Sequence, residues 1–285
     1  MPKAVDELYA LLDPCTLCPR LCRARRRQGE TGACGIGADL KIASVGPHFG
    51  EERPLVGTGG SGTIFLAGCN LLCVFCQNWD ISHGAEGRLS SVEDLVRQMR
   101  ALERRGCHNI NFVSPTHLTP PIADAIVRAR DAGLSVPIVY NCGGYERVET
   151  LRHLEGLVEI YMPDCKFLDA DMAATYANAP DYPETVKAAL AEMHRQVGDL
   201  QIRGGLARRG LLVRHLVLPG GGADSRAILD FLADAISGDT YVNVMGQYRP
   251  CFRAGDHPAL ARRPTHEEIA QAQAHAVARG LCVDA

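Results

Sequence analysis

The pattern of apolar and polar positions changes character near residue 61. Before it, a short helix is predicted near 4–12, followed by a loop-rich knuckle and short strands. After it, short apolar runs alternate with segments of helical spacing. Thr63-Ile64-Phe65-Leu66-Ala67 ends at Gly68 and suits a buried strand. Val92, Leu95, Val96, Met99 and Leu102 then fall on one helical face, with Ser90 or Ser91 placed to cap it. The alternation continues with strands expected at 109–114, 136–140, 157–162, 211–218 and 241–244. Helices are expected at 120–132, 146–154, over much of 169–198, at 225–236 and at 265–279. Such alternation implies a parallel sheet with right-handed crossovers, closed partly into a barrel or doubly wound. We expect an α/β fold: a partial (β/α)6 TIM-type barrel over 61–285, with an N-terminal Cys-rich, loop-rich extension over 1–60.

Composition narrows the function classes. A chain of 285 residues with 46% hydrophobic and 22% charged residues is long enough for a sizeable core. A net charge of −3 gives no electrostatic case for nucleic acid or an anionic membrane. The run Arg23-Ala24-Arg25-Arg26-Arg27 reads as a solvated loop or as a docking patch for an acidic partner. Asp6 and Glu7 stand where a secretory signal would be apolar, and no apolar run reaches membrane-spanning length, so a cytoplasmic location is expected. Twelve cysteines then point to metal, not disulfides. Seven fall into two clusters, Cys15, Cys18, Cys22 and Cys34, then Cys69, Cys73 and Cys76. Cys107, Cys142, Cys165, Cys251 and Cys282 are scattered, as small buried hydrophobes often are.

The second cluster follows directly on the first barrel strand, where parallel α/β folds build their reactive face. Three thiolates on one short loop are ligands for iron–sulfur or zinc. No fourth cysteine follows until Cys107. Three ligands on a four-iron cluster leave one iron open, which signals catalysis. The alternative is a zinc loop completed by a distant His or Cys.

Cys69-x3-Cys73-x2-Cys76, with Phe75 before the last cysteine, resembles the signature of the radical S-adenosylmethionine (radical SAM) superfamily. The segments 59–65, 111–117, 140–146, 161–167, 213–220 and 245–250 resemble its pyruvate formate-lyase activating-enzyme-like branch. Within it they are similar to a subgroup with an N-terminal cysteine motif. The resemblance implies a 4Fe–4S cluster whose open iron chelates S-adenosylmethionine. It implies reductive cleavage to a 5′-deoxyadenosyl radical and hydrogen abstraction from a substrate. That substrate is a glycyl-radical enzyme in the activating enzymes, with a peptide or small molecule as the alternative. An electron donor such as flavodoxin or ferredoxin is implied as partner. A non-catalytic zinc or electron-transfer protein is the reading from another class.

The resemblance also places residues. Phe75 and Asn78 accompany the cysteines at the cofactor. Activating enzymes carry Gly-Gly-Glu after the second strand, where this chain has Ser114-Pro115-Thr116-His117. Ser114, Thr116 and His117 offer oxygen and imidazole acceptors there, but no carboxylate. Asn141 reads as a ligand for ribose or methionyl groups, or as an Asn holding a turn. Asp164 and Lys166 correspond to an Asp-x-Lys beside the cofactor, where the carboxylate helps hold a monovalent cation; a local ion pair is the alternative. Arg214 reads as a carboxylate clamp, His215 as a core histidine. Gln247, Tyr248 and Arg249 are candidates for the substrate end. Cys15, Cys18, Cys22 and Cys34 match a closed four-sulfur site for zinc or a second 4Fe–4S cluster, or four reduced thiols.

Overall fold

The computed structural model describes residues 2–221 and 224–284. Among them, ten strands join in one sheet. They are β1 (Leu40–His48), β2 (Ser61–Leu66), β3 (Arg88–Ser90), β4 (Ile110–Val113), β5 (Ile138–Cys142), β6 (Ile160–Pro163), β7 (Gln201–Arg203), β8 (Leu206–Leu216), β9 (Tyr241–Met245) and β10 (Cys282–Val283). The order is β10-β9-β8-β6-β5-β4-β2-β1-β3, with β7 hairpinned onto β8. From β2 to β10 along this path every pairing is parallel. Each parallel strand lies beside its successor in sequence, so all crossovers step one way. A doubly wound sheet would reverse at a switch point. The sheet does not reverse and does not close, which makes it the partial barrel expected from the sequence.

The helices are α1 (Pro2–Ala10), α2 (Arg53–Val56), α3 (Trp79–Ser82), α4 (Val92–Arg104), α5 (Thr119–Asp131), α6 (Val148–Arg152), α7 (Ala170–Ala177), α8 (Tyr182–Val197), α9 (Ser225–Phe231) and α10 (His266–Ala278). Ser91 starts α4 with a capping box shared with Asp94. Three departures from the expected elements have local causes. The strand expected from 211 begins at Leu206 because a Gly204-Gly205 turn pairs it with β7. The helix expected to reach 236 is α-helical only to Phe231 and widens into a π turn over Leu232–Ile236. The helix expected at 146–154 contracts to the single turn of α6. No helix among the described residues is long and apolar enough to cross a membrane.

The expected division near residue 60 separates two kinds of sequence, not two cores. β1 pairs antiparallel with β2, with a register shift between Ile42 and Ser44. Val5, Leu8, Leu12, Leu17, Ile36 and Leu40 belong to the same buried cluster as Leu66, Phe112 and Tyr140 of the barrel. The arginine run is also not simply solvated. Arg26 is buried, donating to the carbonyls of Gly37 and His117, and so ties the extension to the loop after β4.

Candidate active site

The C-terminal ends of the parallel strands and the cysteine loop enclose one pocket. Cys69, Cys73, Phe75, Cys76 and Asn78 line it from the loop; Ser114, Asn141, Asp164, Lys166, Arg214 and Gln247 line it from the strand ends. The loop is shaped by close approaches. Gly68 has φ +82°, and a Cβ there would lie 2.4 Å from Ile36 and 2.7 Å from the Cys34 carbonyl. The extension thus presses on the residue before Cys69, and only glycine fits. Further along, Val74 donates to Tyr176 O at 2.9 Å and accepts from the Arg253 N–H at 2.9 Å. Phe75 packs edge-on between Phe167 and Tyr248.

The three thiols feel one another. Burial raises the pKa of Cys69, and Cys76 adds to the rise. Burial pushes Cys73 to about 12, with Lys166 acting in the opposite sense. Two sulfurs already accept hydrogen bonds, Cys69 from the Leu71 N–H at 3.4 Å and Cys76 from the Ser82 hydroxyl at 3.2 Å. Among the described residues, no three Cys, His or acidic side chains stand in metal-binding geometry.

Opposite the loop lies a charged network. Asp164 accepts from Arg214 Nε at 2.9 Å through one oxygen and from Lys166 Nζ through the other. Burial works to raise its pKa, but Arg214 and Lys166 together hold it below the ordinary carboxylate range. Asp164 therefore has both oxygens committed. These contacts match the local ion pair that was the alternative to a monovalent cation there, with each carboxylate oxygen facing one cationic side chain. Arg214 also donates from Nη2 to Asn141 Oδ1 at 2.7 Å. With Nε and Nη2 engaged, it does not present the free fork of a bidentate clamp.

Thr116 and His117 are not brought to the pocket. Ser114 adopts φ +58° and lines the pocket, which redirects the chain into a 3-10 turn over Thr116–Leu118. The Thr116 hydroxyl donates to the carboxyl of Glu146, and His117 Nε2 donates to Ala67 O at 2.7 Å. Burial lowers the His117 pKa to about 4, so the ring stays neutral. His215 is a core histidine, between Cys165 O at 2.9 Å and Ser225 Oγ at 2.8 Å. Tyr248 is buried with its hydroxyl on Leu260 O, whereas Arg249 is exposed.

A second chamber adjoins the first and shares Asn78, Asn141, Arg214 and Gln247 with it. Its lining adds Glu52 and Asn243, which the sequence did not single out. Glu52 is buried, its Oε1 accepting from Asn243 Nδ2 at 3.1 Å. Its Oε2 has no hydrogen-bond partner. It lies in a segment without periodicity, so no sequence signal marks it. Cys142, taken from sequence as a scattered core cysteine, also lines the first pocket, but its thiol is hydrogen-bonded to Glu146.

The N-terminal cysteines gather under the same loop. A Cβ at Gly32 would lie 3.3 Å from the sulfurs of both Cys22 and Cys34. Cys15 and Cys22 share a hydrogen bond. Burial pushes Cys18 up to about 12.

Comparison with known proteins identifies this arrangement. The sequence model of the Radical SAM superfamily matches residues 63–197, which include the cysteine loop and the strand ends through β6. An uncharacterised protein of Methanocaldococcus jannaschii is 30% identical over 269 residues, covering 90% of this chain and 72% of its own. A second protein of that organism, also uncharacterised, is 26% identical over 177 residues, covering 53% of this chain and 52% of its own. In fold, the chain resembles the FeFe-hydrogenase maturase HydG from Carboxydothermus hydrogenoformans. The TM-score is 0.52 at 12% identity, covering 74% of this chain and 49% of the maturase. Sequence and fold agree on one conclusion: this chain is a radical SAM enzyme and belongs to the radical SAM superfamily.

Proposed function

We propose that Cys69, Cys73 and Cys76 hold the superfamily's 4Fe–4S cluster with one iron left open, and that S-adenosylmethionine fills the pocket beside them. The enzyme then abstracts hydrogen from a substrate admitted through the second chamber. The observation that carries this reading is the convergence of three thiols on a pocket walled by parallel strand ends.

The donor set fits the group. Three thiols face the pocket together, and the fourth, Cys142, is engaged by Glu146. A closed structural site would need a fourth ligand that the pocket does not offer. When bound, the cluster and S-adenosylmethionine supply one-electron cleavage of the sulfonium. The chain's own residues prepare that chemistry. Lys166 favours the thiolate form of Cys73, which ligation requires. Asp164 orients Lys166 and Arg214, and Arg214 fixes the amide of Asn141 on the pocket wall. Ser114 offers its hydroxyl to the cofactor's amino group, and Asn141 lies on the ribose side. Phe75 supplies the apolar wall, and Asn78 stands where the two chambers meet.

Superfamily members take an electron from a reductant, and flavodoxin or ferredoxin is the donor proposed here. Cys15, Cys18, Cys22 and Cys34 form a second, closed metal site for zinc or a 4Fe–4S cluster, a role supported by the approach of the Cys22 and Cys34 sulfurs at Gly32 and by the electrostatic influence of Cys15 and Cys34 on Cys18.

Anaerobic reconstitution tests the catalytic site. Cys69→Ala, Cys73→Ala and Cys76→Ala should each lose about four irons per chain and all S-adenosylmethionine cleavage. Cleavage retained by any one of them would overturn the ligand assignment. Adding S-adenosylmethionine to the reduced wild type should perturb its paramagnetic spectrum, which a closed cluster or a zinc loop would not allow. Release of 5′-deoxyadenosine in the presence of a glycyl-radical enzyme, of peptides or of small molecules separates the substrate classes.

A further inference from the structure

We propose that Arg20, carried by the N-terminal knuckle between Cys18 and Cys22, is a positioning residue that aims a backbone N–H at the Cys69 sulfur. The proposal rests on reading Cys69 as a cluster ligand.

The guanidinium of Arg20 reaches four carbonyls. Nε donates to Asn70 O at 2.7 Å. Nη2 donates to Leu71 O at 3.1 Å and Ala177 O at 2.8 Å, and Nη1 donates to Asn178 O. Its carbon lies 5.1 Å from the centroid of the Tyr145 ring. A planar fork held at this many points has little freedom.

One of these carbonyls decides the matter. Asn70 C=O and Leu71 N–H belong to the same peptide unit. The oxygen of that unit accepts from Arg20, and its N–H donates to Cys69 Sγ at 3.4 Å. A trans peptide is planar, with N–H and C=O pointing opposite ways. Gripping the oxygen on one side therefore aims the hydrogen on the other. A cation on the oxygen also polarises the N–H and strengthens it as a donor. The Asn70 side chain adds a second anchor, donating to Tyr145 O at 2.7 Å. Leu72, at φ +55°, then turns the chain towards Cys73.

The knuckle that carries Arg20 is itself fixed to the barrel. Arg147 donates to Thr16 O at 2.8 Å, and Thr150 donates to Leu17 O at 2.7 Å. The extension thus reaches the electronic environment of the cluster through one side chain. Hydrogen bonds to ligand sulfurs are among the levers on iron–sulfur potentials, because they stabilise the more negative, reduced state.

The test uses the full chain with Arg20→Met and Arg20→Lys. Deuterium exchange is measured over residues 69–72 of cluster-free protein, and the reduction potential of reconstituted protein by a spectroscopic titration. Arg20→Met should keep its iron. It should exchange about tenfold faster at Leu71. At a fixed ambient potential its ratio of reduced to oxidised cluster should fall up to about tenfold, which for one electron is about 59 mV. Arg20→Lys keeps the charge without the fork and should fall between; it also carries the test if the Met variant does not fold. Wild-type exchange, or a wild-type potential beside faster exchange, would overturn the proposal. Because exchange is read without a cluster, it judges Arg20 even if no chain assembles iron, an outcome that would sink the ligand reading alone.

Discussion

Glu146 is enclosed by Thr116, Tyr140 and Cys142, and its burial raises the carboxyl pKa from 4.5 to about 8 against the pull of those hydrogen bonds. The folded state therefore keeps a proton that the unfolded chain has already lost. Its stabilising contribution is full below about pH 4.5 and declines as pH rises towards 8. Glu146→Gln, close in shape and uncharged, should flatten this dependence and raise stability above that of the wild type at about pH 9. Urea midpoints of both chains at about pH 5 and about pH 9 would decide it; parallel curves would mean that Glu146 does not carry the dependence. The same residue shows where sequence was legible. Ser114, Asn141, Asp164 and Lys166 line the pocket as strand-end logic and resemblance implied. Thr116 and His117 do not, because the left-handed Ser114 breaks the alternation and a 3-10 turn points both inward. Nothing in the letters Ser-Pro-Thr-His announces that φ.

At the scale of elements, the loops after β5 and β6 define the pocket floor, and glycine lets them meet. Gly144 has φ +76°, and a Cβ there would lie 2.2 Å from Asp164 O and 2.9 Å from Val186. Gly144→Ala should cost roughly 1–3 kcal/mol through the left-handed backbone alone. Forced from the Asp164 carbonyl, it should also weaken S-adenosylmethionine binding by more than its effect on stability explains. Thermal melts and cofactor titrations on the same preparation check both; wild-type affinity in a destabilised variant would show that the floor tolerates the shift. The parallel strands were legible because their apolar runs are short and bounded by turns. The β7–β8 hairpin was not, because Gln201–Arg203 is only three residues long and exposed throughout, too short to show a pattern. The end of α9 was not either, since a π turn keeps the same spacing of apolar residues over its single turn.

For the whole molecule, the sequence separates a cysteine-rich extension from a barrel, yet packing joins them. The difference arises because strand pairing and core sharing between residues far apart leave no periodic trace. β1 reads as one of several short strands, and only its pairing with β2 makes it part of the sheet. Leu8, Leu12 and Leu17 are buried in the cluster that contains the barrel's own core. The knuckle bears on the loop before Cys69 through Ile36 and Cys34, and on the loop after β4 through Arg26. Metal in the knuckle should therefore contribute to the stability of the entire chain, since ligand binding free energy becomes folding free energy where the site is absent in the unfolded state. The variant with Ala at Cys15, Cys18, Cys22 and Cys34 should lose one metal site by analysis. It should melt in one transition at a lower temperature, not in two separated steps. An independent extension would give the opposite, an early transition confined to residues 1–60 above an unchanged barrel. Unchanged zinc and iron would show that the knuckle binds neither, leaving Arg20 and Arg26 as its means of bracing the catalytic loop.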